Sequence, residues 1–148
     1  MRGATFDEFD LKAGIWTIPG ERMKANEPHC VALSAPALAL VKLLKHQKPH
    51  ESIVFLSPRE KVLSDMTLTA LLRRAKATSD TPGRMAKAHG FRSSFRDWAS
   101  EQGYARDLAE RALAHTVANK VEAAYHRTDL LEQRRSLVEA WAKHVCGL

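Results

Sequence analysis

The chain has 148 residues, 45% apolar and 27% charged, the balance of one ordinary globular domain and not of a disordered or fibrous chain. No apolar run approaches the roughly 20 residues needed to cross a bilayer, and the opening MRGATFDEFD lacks the hydrophobic stretch of a secretory signal. A net charge of +6 and a pI near 9.6 suit a polyanionic partner, while two widely separated cysteines, Cys30 and Cys146, read as reduced thiols of a cytoplasmic protein and not as a disulfide or zinc framework.

The first third is rich in strand signals. Ile15 to Pro19 (IWTIP) alternates as a short strand does, and His29 to Leu33 (HCVAL) supplies a second. The turn-rich GERMKANEP between them makes the pair a β-hairpin with a long tip, spanning about residues 15–33. Ser34 is placed to cap a helix over APALALVKLLKHQ, whose Leu38, Leu40, Leu43 and Leu44 are expected to face a core, and Pro49 stops it. Ile53 to Leu56 (IVFL) reads as a brief extended segment. A helix from about Asp65 to Ala77 follows, then a loop over Thr78 to Arg84 (TSDTPGR). The remainder predicts helices near His89 to Gln102, Ala105 to Ala114, Lys120 to His126 and Leu130 to Val145, with Gly103 separating the first two. The expected fold is α+β and mainly helical: a small antiparallel sheet and about six helices in one domain.

Two segments concentrate reactive side chains, AHGFRSSFRDWASE (88–101) and LAHTVANKVEAAYHRTDL (113–130). The first resembles the His-x-x-Arg signature of the tyrosine recombinases, supplied by His89 and Arg92. The second resembles that family's Leu-x-His followed by a nucleophilic tyrosine, supplied by Leu113, His115 and Tyr125. The RDWA at 96–99 and the AAYHRTDLLEQRR around the tyrosine are similar to the phage and genomic-island integrases, as is the first sheet and hairpin, on which Lys24 matches the active-site lysine.

The resemblance implies a catalytic-domain fold over 1–148 and site-specific DNA recombination through a 3′-phosphotyrosine intermediate. Tyr125 would be the nucleophile; its phenol has a reference pKa near ~10, so its attack depends on neighbouring positive charge or a base. Arg92 would clamp the scissile phosphate, since a guanidinium stays protonated and donates bidentately. His115 would add a hydrogen bond to the same oxygens. His89, one helical turn from Arg92, would move a proton or orient the phosphate. Lys24 would be the general acid for the leaving 5′-oxygen. Arg22, Arg73, Arg74, Arg84 and Lys87 are further candidates for DNA contact. The implied partners are double-stranded attachment sites and other copies of the chain, with a tetramer of the full-length protein on DNA; no membrane, metal or other cofactor is expected.

The family uses a further arginine ahead of the part matched by Arg2-Gly3-Ala4. The expectation is therefore a catalytic domain without its first helices, and without arm-binding and core-binding N-terminal domains. Loss of one positioned donor to a developing oxyanion lowers rates on the order of 10²- to 10³-fold, so the chain alone should recombine poorly or not at all. A non-catalytic DNA-binding remnant is the alternative, and a type IB topoisomerase-like enzyme a third. Other features have plainer readings. His46 and His50 stand four apart, but Pro49 between them marks a helix end and not a metal site. Trp98 and Trp141 are core residues. Arg134, Arg135 and Lys143 form either a DNA contact or a solvated helix face.

Overall fold

The computed structural model describes residues 2–47, 52–79, 81–114 and 129–147. Two cores organise it, one per half of the sequence, and a C-terminal helix spans both. The first is built on a three-stranded antiparallel sheet, β1 (Phe9–Asp10), β2 (Ile15–Ile18) and β3 (His29–Ala32), in the order β1-β2-β3. Trp16 opposes Phe9 on one side and Val31 on the other. The Phe9 and Trp16 rings stack at 5.2 Å. Ala4, Phe6, Val41 and Val54 complete the core. The expected extended segment at 53–56 lies antiparallel to residues 4–6: Val54 N–H donates to Ala4 carbonyl at 2.9 Å and Phe6 N–H to Ser52 carbonyl at 2.9 Å.

The hairpin of β2 and β3 follows the alternation seen in the sequence. The two residues of β1 carry no periodic signal, and only the resemblance, which extends over the first sheet, implied a strand there. Helix α1 (Ala35–Gln47) has the expected bounds, but its orientation corrects the expected core face. Val41 is buried and Leu44 packs on the core, whereas Leu40 and Leu43 are each about half exposed. Residues 41 and 44 share one stripe of a 3.6-residue helix and residues 40 and 43 the next; apolar residues on both stripes left the choice to packing. Pro49, the expected stop, lies outside the described residues.

Helix α2 (Thr67–Arg74) is followed by a tight hairpin. Thr78 bridges Met85, and Arg84 N–H closes on Thr81 carbonyl at 3.2 Å. Pro82 and Gly83, with Gly83 at φ 74°, occupy the two central positions, the residue types of a type II turn.

Helices α3 (Gly90–Glu101), α4 (Arg106–Ala112) and α5 (Leu131–Cys146) enclose the second core of Phe95, Trp98, Ala99, Leu108, Ala109 and Leu137. Trp141 meets Phe95 edge-on at 5.5 Å and Trp98 at 5.2 Å, in keeping with the core reading of both tryptophans. The helix expected near 120–126 lies outside the described residues.

Helix α5 works on two faces. Leu137, Ala140 and Trp141 enter the second core, while Arg134 and Glu139 reach back to the first half. Glu139 Oε2 accepts the Ala35 N–H at the start of α1 (2.9 Å), satisfying a helix-end donor. Arg134 donates to the Cys30 carbonyl of β3 at 2.7 Å and pairs with Asp129. Arg134 is 1% exposed, which corrects both sequence readings of it: it is neither a DNA contact nor part of a solvated face. Arg135, partly buried, pairs with Glu132.

Candidate active site

The tip of the hairpin is shaped by one close approach. A Cβ on Gly20 would stand 2.7 Å from the Asn26 carbonyl oxygen, so only glycine fits without a shift. Beyond it, Asn26 N–H donates to Met23 carbonyl at 3.0 Å, with Asn26 at φ 56°. Lys24 and Ala25 are thus the central residues of a turn, and Lys24 is exposed there.

Arg22, just before it, is held by Glu8. The Glu8 carboxylate accepts the Thr5 N–H (3.1 Å), the Thr5 hydroxyl (2.9 Å) and the Trp16 indole N–H (2.9 Å), and pairs with the Arg22 guanidinium. Burial pushes this carboxyl up, but donation from Trp16, Arg22 and Thr5 outweighs it and holds it below 4.5. Arg22 thereby buttresses the hairpin, and any contact to DNA would be made by the part of its side chain that Glu8 leaves exposed.

His89 is the N-cap residue of α3 and is exposed; its side chain makes no capping bond, and its carbonyl accepts the Arg92 N–H at 3.1 Å. Arg92, in the first turn, is half-buried and crosses to α4, where Nη2 donates to the Leu113 carbonyl at 2.5 Å. Leu113 is the C-cap of α4, where unsatisfied carbonyls favour a cation. Ala114 follows at φ 54° and turns the chain out of the helix. His115 and Tyr125 lie outside the described residues. Arg92 is thus held at the end of α4, and His115 follows Leu113 by two positions in the sequence.

Besides Arg22, other arginines are paired. Arg2, Arg96, Arg106, Arg111, Arg134 and Arg135 pair with Asp65, Glu110, Glu110, Asp107, Asp129 and Glu132 respectively. Arg73 and Arg74 in the last turn of α2, Lys76 after it, and Arg84 and Lys87 on the way to His89 are exposed, and none forms an ion pair with a described carboxylate. A cleft of about 280 Å³ between α3 and α4 is lined by Arg96, Asp97, Ser100, Tyr104, Arg106 and Ala109; it contains none of the candidate catalytic residues. Among the described residues no three His, Cys, Asp or Glu side chains gather as a metal set, and no helix is long and apolar enough to cross a membrane.

Sequence reasoning missed Glu8 and Arg134 as organisers of the site's surroundings. A capping-box spacing, Thr5 to Glu8, was a usable signal for the first. Nothing local marked the second.

The family model described as "Phage integrase family" matches residues 1–131. The chain is 37% identical over 142 residues to Prophage integrase IntA of Escherichia coli (strain K12), covering 94% of this chain and 33% of that protein. It is 32% identical over 161 residues to Integrase of Enterobacteria phage P4, covering 98% and 36%. Putative protein IntB of Escherichia coli (strain K12) is 34% identical over 158 residues, covering 96% and 39%. The chain spans about a third of the length of these curated relatives. No solved structure matches it.

Proposed function

This chain belongs to the phage integrase family, and from that premise we propose that it carries the strand-exchange chemistry of a tyrosine site-specific recombinase acting at DNA attachment sites in the cytoplasm. The observation that carries the reading is the Arg92–Leu113 contact. It holds a guanidinium at the point where the chain leaves α4 for His115, as a phosphate cradle assembled from two helices requires.

In the proposed reaction the Tyr125 oxygen attacks the scissile phosphorus. The bond to the 5′-oxygen breaks, leaving a 3′-phosphotyrosine and a 5′-hydroxyl. The phenolic proton leaves with the assistance of His89, and Lys24 protonates the departing oxygen. Arg92 and His115 donate to the non-bridging oxygens as charge builds on them. A second 5′-hydroxyl reverses the step on a new partner, so phosphodiester energy is retained in the protein linkage. Arg92 keeps its bond to Leu113 through one nitrogen and has the others available for phosphate.

The cations free of described carboxylates, Arg73, Arg74, Arg84 and Lys87, are proposed to contact the DNA backbone, with Lys24 on its hairpin approaching a groove. Several protomers are proposed to assemble on DNA, as exchange of four strand ends requires more than one nucleophile. In this reading His89 and Arg92 act from the start of α3 and Lys24 from the hairpin tip, within one catalytic domain.

The test is covalency. A nicked suicide duplex bearing the attachment sequence should trap an adduct on the tryptic peptide containing Tyr125, and Tyr125→Phe should abolish it while leaving DNA affinity unchanged. Binding without any adduct would refute strand transfer and leave a non-catalytic DNA-binding domain.

A further inference from the structure

The ladder between β2 and β3 ends at the Ile18–His29 pair, and residues 19–28 run beyond it. Their backbone hydrogen bonds are internal to the tip: Arg22 N–H to Pro19 carbonyl at 3.1 Å, Met23 N–H to Gly20 carbonyl at 2.8 Å and Asn26 N–H to Met23 carbonyl at 3.0 Å. Such bonds shape the tip without fixing it to the body, and a two-stranded ribbon is marginal by itself. Among the described residues one polar side-chain contact crosses from tip to body, the ion pair of Arg22 with Glu8. The Glu8 side chain is 8% exposed and that of Arg22 29%, a pair more shielded from solvent than a surface bridge. Thr5 and the Trp16 indole hold both carboxylate oxygens from the other side. Arg22 Nη1 lies 3.8 Å from where a Cβ on Gly3 would stand, so the guanidinium is laid against the segment that leads to Glu8.

Lys24 stands two residues past Arg22, exposed, and forms no ion pair with a described carboxylate. The position of its ammonium is therefore set by the backbone beneath a flexible four-carbon stem. A proton donor acts only within hydrogen-bond reach of the oxygen it serves, and a misplacement of about 1 Å costs on the order of 10²-fold in rate.

We propose that Arg22 and Glu8 are positioning residues for proton transfer to the leaving oxygen: their ion pair ties the hairpin tip to the body of the domain and so fixes where Lys24 can reach. The proposal rests on Lys24 being the general acid. Neither Arg22 nor Glu8 takes part in the chemistry itself.

The leaving group supplies the test. When the bond from phosphorus to the 5′-oxygen breaks, its electron pair goes to that oxygen, which takes the proton from Lys24. With sulfur in place of the 5′-oxygen the pair departs on a thiolate, whose conjugate acid has a reference pKa near ~8.5, and no proton is needed. Suicide duplexes of both kinds, cleaved at saturating protein under single-turnover conditions, separate proton delivery from binding and folding. Lys24→Ala is the reference: it should slow the oxygen substrate on the order of 10²- to 10⁴-fold and leave the sulfur substrate near normal. Arg22→Met is expected to slow the oxygen substrate about tenfold, the loss of one charge-assisted contact, with the sulfur substrate unchanged. Glu8→Gln should reproduce this pattern, and the double variant should fall no further than Glu8→Gln alone. No loss in Arg22→Met, or an equal loss on both substrates while Lys24→Ala remains selective for oxygen, overturns the proposal and spares the acid. A Lys24→Ala defect that sulfur does not relieve removes the acid role and this proposal with it, and leaves attack by Tyr125 standing.

Failure of the unaltered protein to cleave either duplex counts against the strand-transfer reading, and the tether is then decided without catalysis. Endoproteinase Lys-C should cut after Lys24 about tenfold faster in Arg22→Met, as the tip is released, with cutting after Lys76 and Lys87 unchanged. An unaltered rate at Lys24, or a rise shared by all three sites, overturns the tether.

Discussion

At the scale of single residues, charge is sorted by partnership. Arg92 offers the sharpest test. Arg92→Lys keeps a positive charge but loses the planar fork that reaches Leu113 and phosphate together. Adduct formation should fall on the order of 10²- to 10³-fold, with the circular dichroism spectrum unchanged; near-normal cleavage would remove Arg92 from the site.

His29 gives a pH signature. Burial, then the charge of Arg134, push its imidazole below 6.5, with Asp129 pulling the other way. The unfolded chain therefore takes up the proton first as pH falls, and the stability present above about pH 6.5 declines as acid approaches the folded-state value. Glu8 and Asp10 are held below 4.5 and 3.8, so what they contribute is present above those values and is lost lower still. Urea unfolding between pH 7.5 and 5 should show the first decline, and His29→Gln should flatten it. A decline of the same size in His29→Gln would assign it elsewhere.

At the scale of elements, the hairpin tip and the C-terminal helix each depend on one position. Gly20→Ala places a methyl 2.7 Å from the Asn26 carbonyl oxygen, against backbone and not a yielding side chain. A destabilisation of about 1–3 kcal/mol is expected, read as a lower urea midpoint, together with a changed environment at Lys24. Leu137→Ala removes a side chain with no exposure from the middle of α5, and should lower stability by about 2–5 kcal/mol. A loss below about 1 kcal/mol would mean that α5 contributes little to the second core. The contrast with α1 is instructive. Its leucines looked equivalent in sequence, yet the first core engages Val41 and Leu44 and leaves Leu40 and Leu43 half exposed.

For the whole molecule, two surface properties should be measurable. If Arg73, Arg74, Arg84 and Lys87 each meet a phosphate, replacing each by alanine should reduce the slope of log affinity against log salt by roughly 0.9 per contact; a slope unmoved by all four changes would place the interface elsewhere. Most of the large apolar side chains left exposed fall between residues 62 and 91: Val62, Met66, Leu68, Leu71, Met85 and Phe91. Exposed apolar surface of this kind favours association. Sedimentation should show concentration-dependent self-association that weakens in a Leu68→Lys, Leu71→Lys double variant, and a clean monomer at high concentration would exclude it.

Much of this architecture was legible before any coordinates. Period-two alternation located β2 and β3, and periodic runs bounded by Gly103 and loop residues located α1, α3, α4 and α5 to within a residue or two, because such signals come from neighbours along the chain. The His89 and Arg92 spacing puts both on the first turn of one helix for the same reason. What no local pattern encodes is which charged residue is removed from water. Arg134 is indistinguishable from its solvated neighbours in the sequence until β3 and Asp129 close around it, and the Thr5–Glu8 spacing marks a cap but not the Trp16 and Arg22 contacts that gather on Glu8. Burial is a property of contacts between residues more than a hundred positions apart in the case of Arg134 and Cys30, and only the tertiary structure could assign it.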